Sequence, residues 1–167
     1  RSRLLGEHNA RNVALAAAVA YKLGLTKEEI AGGIAKLDYV PHRLQPFQAN
    51  GVTILDDAYN ANVVGAEEAV KVLRLFSGRK YVVTPGIVEL GILEEEENFA
   101  LGQKLAGLDM VVLVGATLVL AVKRGYLDAG GDAEKLVVVP DLAGAEKLLS
   151  EKLQAGDAVL FLNDLPD

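Results

Sequence analysis

Val52-Thr53-Ile54-Leu55-Asp56-Asp57-Ala58-Tyr59-Asn60-Ala61-Asn62 runs without a break from apolar and β-branched residues into two carboxylates and two carboxamides. The first four residues favour a strand. A polar cluster at the carboxyl end of a strand is where open α/β sheets hold their ligands. Side chains alternate along a strand, so Asp56 and Asp57 are expected on opposite faces, and only one faces a ligand easily. On the amino side, Ala49-Asn50-Gly51 separates this strand from a second strand-like run at 44–48. Asn-Gly between two such runs signals a hairpin.

Downstream, strand-like and helical segments alternate. The pattern predicts a helix near 64–76, a strand at 80–84, a helix near 95–106, a strand at 110–114 and a helix near 117–127. A strand at 136–139, a helix at 142–153 and a strand at 158–162 complete it. Such alternation predicts βαβ units with right-handed crossovers, hence an α/β fold: a mostly parallel sheet flanked by helices, entered through an N-terminal hairpin. Buried parallel strands show continuous apolar runs, so Val111–Val114, Leu136–Val139 and Val159–Leu162 are expected to be central. Thr84-Pro85-Gly86, Gly115-Ala116-Thr117 and Asn163-Asp164 follow strands, which places them on the same sheet edge as Asp56 and Asp57. Four acidic residues at 94–97 read as a solvated helix start.

A short helical segment precedes the sheet. Residues 9–23 are apolar all round, which predicts a buried helix ended by Gly24. Thr26 and Glu29 have the spacing of a capping box, so a second helix runs to about residue 37. Pro41 then breaks the pattern and marks a candidate domain boundary. The first helix opens with Gly6-Glu7-His8-Asn9-Ala10-Arg11-Asn12. Asn9 has two readings, helix cap or ligand contact. Asn12, further inside, has no capping role and is the better candidate for a nucleobase, since a carboxamide both donates and accepts.

Composition limits the alternatives. With 51% hydrophobic residues the chain can bury a core, and a net charge of −6 without any Lys/Arg block argues against a nucleic-acid partner. Zero cysteines exclude disulfides and thiol catalysis and fit a reducing, cytoplasmic location. Apolar runs such as Met110–Val114 are far too short to span a bilayer, and no signal peptide opens the sequence. No Gly-x-Gly-x-x-Gly occurs, which disfavours a nicotinamide cofactor, and no Gly-x-x-x-x-Gly-Lys-Ser/Thr occurs to cradle the phosphates of ATP.

Taken in order, Gly-x-His-Asn-x-x-Asn at 6–12, His42-Arg43-Leu44-Gln45, Asp56 to Asn62, Pro85-Gly86, Glu89-Leu90-Gly91 and the closing Phe161-Leu162-Asn163-Asp164-Leu165-Pro166-Asp167 resemble the C-terminal part of the Mur ligase family. Within that family the resemblance is to the type that adds D-alanyl-D-alanine to a cell-wall precursor. It implies that residues 1–38 are the helical tail of a central ATP-binding domain and that 39–167 form the Rossmann-like C-terminal domain. It further implies ATP-dependent joining of UDP-MurNAc-tripeptide and D-alanyl-D-alanine through an acyl phosphate, with the P-loop and the Mg2+ ligands lying in a central domain outside this sequence. A chain of this kind is expected to be inactive alone.

Residue by residue, the resemblance assigns Asn9 and Asn12 to adenine, Asp57 to the ribose hydroxyls and Arg43 to the neighbourhood of the ATP phosphates. Asn60 and Asn62 fall in the same loop as candidate substrate contacts. No residue here is assigned as a nucleophile or metal ligand. The sequence departs from the family at Val63-Val64-Gly65, where a Pro commonly follows Asn-Ala-Asn, and at Asn98, where a His is frequent. A non-catalytic nucleotide-binding module and a relative of the folylpolyglutamate synthetases are the competing readings. A P-loop domain encoded directly upstream separates enzyme from module.

Overall fold

Asn50 and Gly51 both take left-handed backbone angles, φ 51° and 80°, as a two-residue hairpin turn matched to strand twist requires. They join β1 (Gln45–Ala49) antiparallel to β2 (Val52–Asp57). The computed structural model describes residues 2–59 and 62–162 and divides into two compact units, Arg1–Pro41 and His42–Asp167.

In the second unit, β3 (Lys80–Thr84), β4 (Met110–Val114), β5 (Leu136–Val139) and β6 (Ala158–Leu162) complete a six-stranded sheet of order β1-β2-β6-β3-β4-β5. Every pairing except β1 with β2 is parallel. The connecting helices are α3 (Val63–Leu73), α4 (Glu94–Leu105), α5 (Val119–Asp128) and α6 (Leu142–Lys152). Three successive connections lead from β2 outward to β5. The fourth reverses direction to insert β6 between β2 and β3. A right-handed crossover that reverses direction must lie on the other face.

Packing agrees. Ala145 and Leu149 of α6 close a core with Val52, Tyr81, Val83, Val112, Val114, Val139 and Val159. The alternate residues Leu55, Val82, Val111, Leu113, Leu160 and Leu162 are buried as well, and α3 packs on β6. Since α6 packs on β4 and β5, at the far side of the sheet from the hairpin, its face stays open over β1 and the carboxyl halves of β2 and β6, at Phe47, Ile54 and Phe161.

Two sequence-based expectations are corrected. Leu136–Val139 forms an edge strand rather than a central one, and Val138 is 46% exposed. An apolar run reports what covers the strand's faces, not whether a neighbour occupies each edge. In the first unit, α1 (Glu7–Lys22) has no buried residue, and Leu15 and Val19 stand 67% and 60% exposed. An all-round apolar helix is buried only when other elements surround it. Within its unit α1 meets only α2 (Lys27–Ala35), leaving a groove of about 180 Å³ lined by residues such as Val13, Ala17, Ile30 and Ile34. The capping box forms as read: the Glu29 N–H donates to Thr26 Oγ1, and the Thr26 N–H to the Glu29 carboxylate.

At the amino end of the strands, Asp157 pins β6 into its slot. Its carboxylate accepts from Arg79 Nε and Nη2 at 3.1 and 2.7 Å and from the Gln154 N–H at 2.7 Å. Its carbonyl accepts from the Thr53 N–H of β2. Burial raises the Asp157 pKa, but the hydrogen bonds from Arg79 and Gln154 outweigh it and the net shift is downward. The stability this group adds is therefore complete above the ordinary carboxylate pKa and is lost as the pH falls through the depressed folded value. Asp157→Asn is expected to lower unfolding free energy at pH 7 by about 1–2 kcal/mol, the partly exposed Arg79 being screened. In thermal melts that deficit shrinks below about pH 4.

Candidate functional site

The last residues of β2 and the first of the second unit are tied together by side chains from both faces of the sheet. Asp57 Oδ1 accepts the Leu44 N–H at 2.9 Å. Asp56, one residue earlier and so on the opposite face, lies 2.8 Å from His42 Nδ1 through Oδ2 and accepts the Ala58 N–H at 3.2 Å through Oδ1. The Tyr59 N–H donates to the His42 carbonyl at 3.3 Å. Between these ties, the Arg43 guanidinium lies 4.5 Å from the centroid of the Tyr59 ring, a cation–π distance.

The backbone here is strained. His42 and Leu44 have φ of 59° and 48°, a conformation that costs a residue bearing a Cβ about 1–2 kcal/mol. Leu44 offsets this with its side chain, only 3% exposed, and with the bond to Asp57. Arg43 itself is exposed.

The sequence-read residues divide as follows. Arg43 and Asp57 come together with His42, Asp56 and Tyr59 in the second unit. Asn9 and Asn12 lie on α1 in the first unit. The N-cap of α1 is Gly6, so the capping reading of Asn9 is corrected. Its Nδ2 donates to the Leu5 carbonyl at 2.7 Å, holding the entry to the helix. Asn12 is exposed. Asn62 is the N-cap of α3, its Oδ1 accepting the Gly65 N–H at 2.8 Å, and its carboxamide carries two further donors. Asn60 and Asn163-Asp164 fall outside the described residues.

Sequence reasoning did not find the open cleft of about 730 Å³ on the α6 face, beside this cluster. Phe47, Ile54, Leu142 and Phe161 supply its apolar surface, with His42, Asp56, Tyr59 and Glu146 among its polar lining. It follows from where α6 stops, a property of topology that no local motif carries. Among the described residues no group of three or more His, Asp or Glu side chains is placed to hold a metal ion, and no helix is long and apolar enough to cross a membrane.

Along the same sheet edge, the loop after β3 is shaped by Asn98 of α4, which is fully buried. Its Oδ1 accepts the Ile87 N–H at 2.8 Å, and its Nδ2 donates to the carbonyls of Ile87 and Glu94 at 2.8 and 2.9 Å. Gly86 completes the turn with φ 96°, and a Cβ there would meet Asn98 Oδ1 at 2.5 Å. The Asn standing where the family often has His is thus a fully bonded support for this loop.

A mostly parallel sheet whose crossover direction reverses, with charged and aromatic side chains gathered at the carboxyl end of β2, is an open α/β domain of the kind that holds ligands at that edge. The chain belongs to the Mur ligase family: the family model described as Mur ligase, glutamate ligase domain, matches residues 42–163. It is 41% identical over 115 residues to the UDP-N-acetylmuramoyl-tripeptide–D-alanyl-D-alanine ligase of Escherichia coli, covering 67% of this chain and 25% of that protein. Similar solved structures include a MurF from Acinetobacter baumannii, with TM-score 0.83, 31% identity, and coverage of 98% of this chain and 36% of that one. The MurF ligase from Thermotoga maritima, in complex with ADP, gives TM-score 0.81 at 26% identity over 96% and 35%. The chain thus spans a quarter to about a third of the relatives it matches.

Asn98→Ala strips the Ile87 amide and carbonyl of their buried partners and is expected to cost about 2–4 kcal/mol in urea unfolding of the chain, with little change in m-value.

Proposed function

We propose that this chain is the C-terminal part of an ATP-dependent amide ligase that joins D-alanyl-D-alanine to UDP-MurNAc-tripeptide in the cytoplasm, and that its own share of the site is to hold the nucleotide. The observation that carries the reading is the bond from Leu44 N–H to Asp57, which draws Arg43 and a strand-end carboxylate to one place. The relatives named above support the substrate assignment.

The residues fit a nucleotide. A carboxylate has two oxygens and about four acceptor positions, so Asp57 can bind Leu44 N–H and still accept from ribose hydroxyls. Arg43, its guanidinium steadied on the Tyr59 ring, suits phosphate oxygens, to which a planar fork donates in pairs. Asn12 and Asn9 offer carboxamides for the adenine edge, and Asn60 and Asn62 for the peptide substrates. ATP, when bound, supplies the phosphoryl group that activates the tripeptide carboxylate. This chain's residues orient it, and positioning of this kind supplies much of the rate in such reactions. The metal ion that accompanies ATP would be held by residues outside this chain.

The gene-length protein, given ATP, UDP-MurNAc-tripeptide and D-alanyl-D-alanine, is expected to turn over, and Asp57→Ala and Asn12→Ala each to lower kcat/KM for ATP at least tenfold. The 167-residue chain alone is expected to show no turnover. A folded gene-length protein inactive with every peptide acceptor overturns the ligase reading in favour of a binding module.

A further inference from the structure

We infer that Asp56 and His42 are positioning residues, which act on the nucleotide only through Arg43; the inference rests on the reading of Arg43 as a phosphate contact. An exposed arginine ordinarily samples many rotamers and loses that freedom on binding. Arg43 is constrained from both sides before any ligand arrives. The residue before it is held by its ring on Asp56 and by its carbonyl on the Tyr59 N–H. The residue after it is held by its N–H on Asp57. Both flanking residues are kept in the left-handed region, which residues bearing a Cβ seldom adopt. The same β2 end that carries Asp56 also carries Tyr59, whose ring lies under the guanidinium.

Asp56 is not arranged to meet a ligand itself, although it borders the cleft. Its side chain is only 17% exposed, against 59% for His42, and both oxygens are engaged, one by Ala58 N–H and one by the ring. The requirement at this position is one hydrogen bond to the His42 ring beside an acceptor for the Ala58 N–H. A carboxamide supplies both, its oxygen accepting from Ala58 and its NH2 donating to Nδ1 in the ring tautomer protonated at Nε2. Asp56→Asn is therefore a conservative variant, whereas Asp56→Ala and His42→Phe remove the tie.

Two measurements test the inference. In the gene-length protein, Asp56→Ala is expected to lower kcat/KM for ATP about tenfold, Asp56→Asn to restore most of it, and Asp56→Ala to add nothing in an Arg43→Ala background. Additive losses, or equal losses in the Asn and Ala variants, overturn it. In the 167-residue chain, the Arg43 δ-proton signals are expected upfield in the wild type, shifted by the Tyr59 ring, and to return towards the ordinary arginine position in Asp56→Ala and His42→Phe. Their staying upfield in variants with wild-type spectral dispersion also overturns it. If Arg43→Ala leaves kcat/KM for ATP unchanged, the phosphate reading of Arg43 fails and the inference with it, whereas the ring-shift readout still reports whether the tie exists.

Discussion

Two adjacent carboxylates at the end of one strand cannot point the same way, and the arrangement of this site follows from that constraint. Asp57 reaches from one face of β2 to the Leu44 amide, and Asp56 from the other to the His42 ring. The chain at 42–44 is gripped from both sides. Arg43, the residue between, is set at the sheet edge where the loops after β3 and β4 also end. A single carboxylate would hold one side of the segment and leave the other free to turn.

That grip needs a rigid β2, and β6 provides it. The last strand enters between β2 and β3, with Leu55 opposite Leu160 and Val82 opposite the same residue on the far side. Asp157 fastens the start of β6 to Arg79 and to β2, which fixes the strand at its amino end. The reversed crossover that brings β6 inward also moves α6 to the opposite face and leaves the cleft beside Asp56 uncovered. The Asn98 carboxamide does for the loop after β3 what the carboxylates do for residues 42–44. It satisfies backbone groups that a buried loop would otherwise leave unbonded.

Much of this was legible in the sequence because it is local. The Asn50-Gly51 hairpin, the Thr26–Glu29 capping box and the alternation of strands and helices each depend on a few neighbouring residues, and all three formed as read. The parallel sheet followed from the alternation. What was not legible depends on packing over distance. The apolar run Leu136–Val139 does not tell an edge strand from a central one, and the apolar character of α1 does not say what surrounds it. The cap of α1 fell to Gly6 rather than Asn9 because the helix already begins at Glu7, which puts Asn9 inside its first turn. Arg43, Asp57 and the Asn residues became candidates through ordered motifs, whereas the tie of His42 to Asp56 and the cleft behind it arise from a hairpin register and a crossover, which no motif records.

The central claim is that nucleotide binding by this chain converges on residues 42–44 and the end of β2. Titrating the isotopically labelled chain with ADP and following its amide and arginine side-chain signals tests this most directly. The account predicts weak, saturable shifts at Leu44, Asp57, Ala58 and Arg43, moving together with one affinity. Saturable binding that leaves those signals in place while moving others, such as those around Arg79 and Asp157, would contradict it.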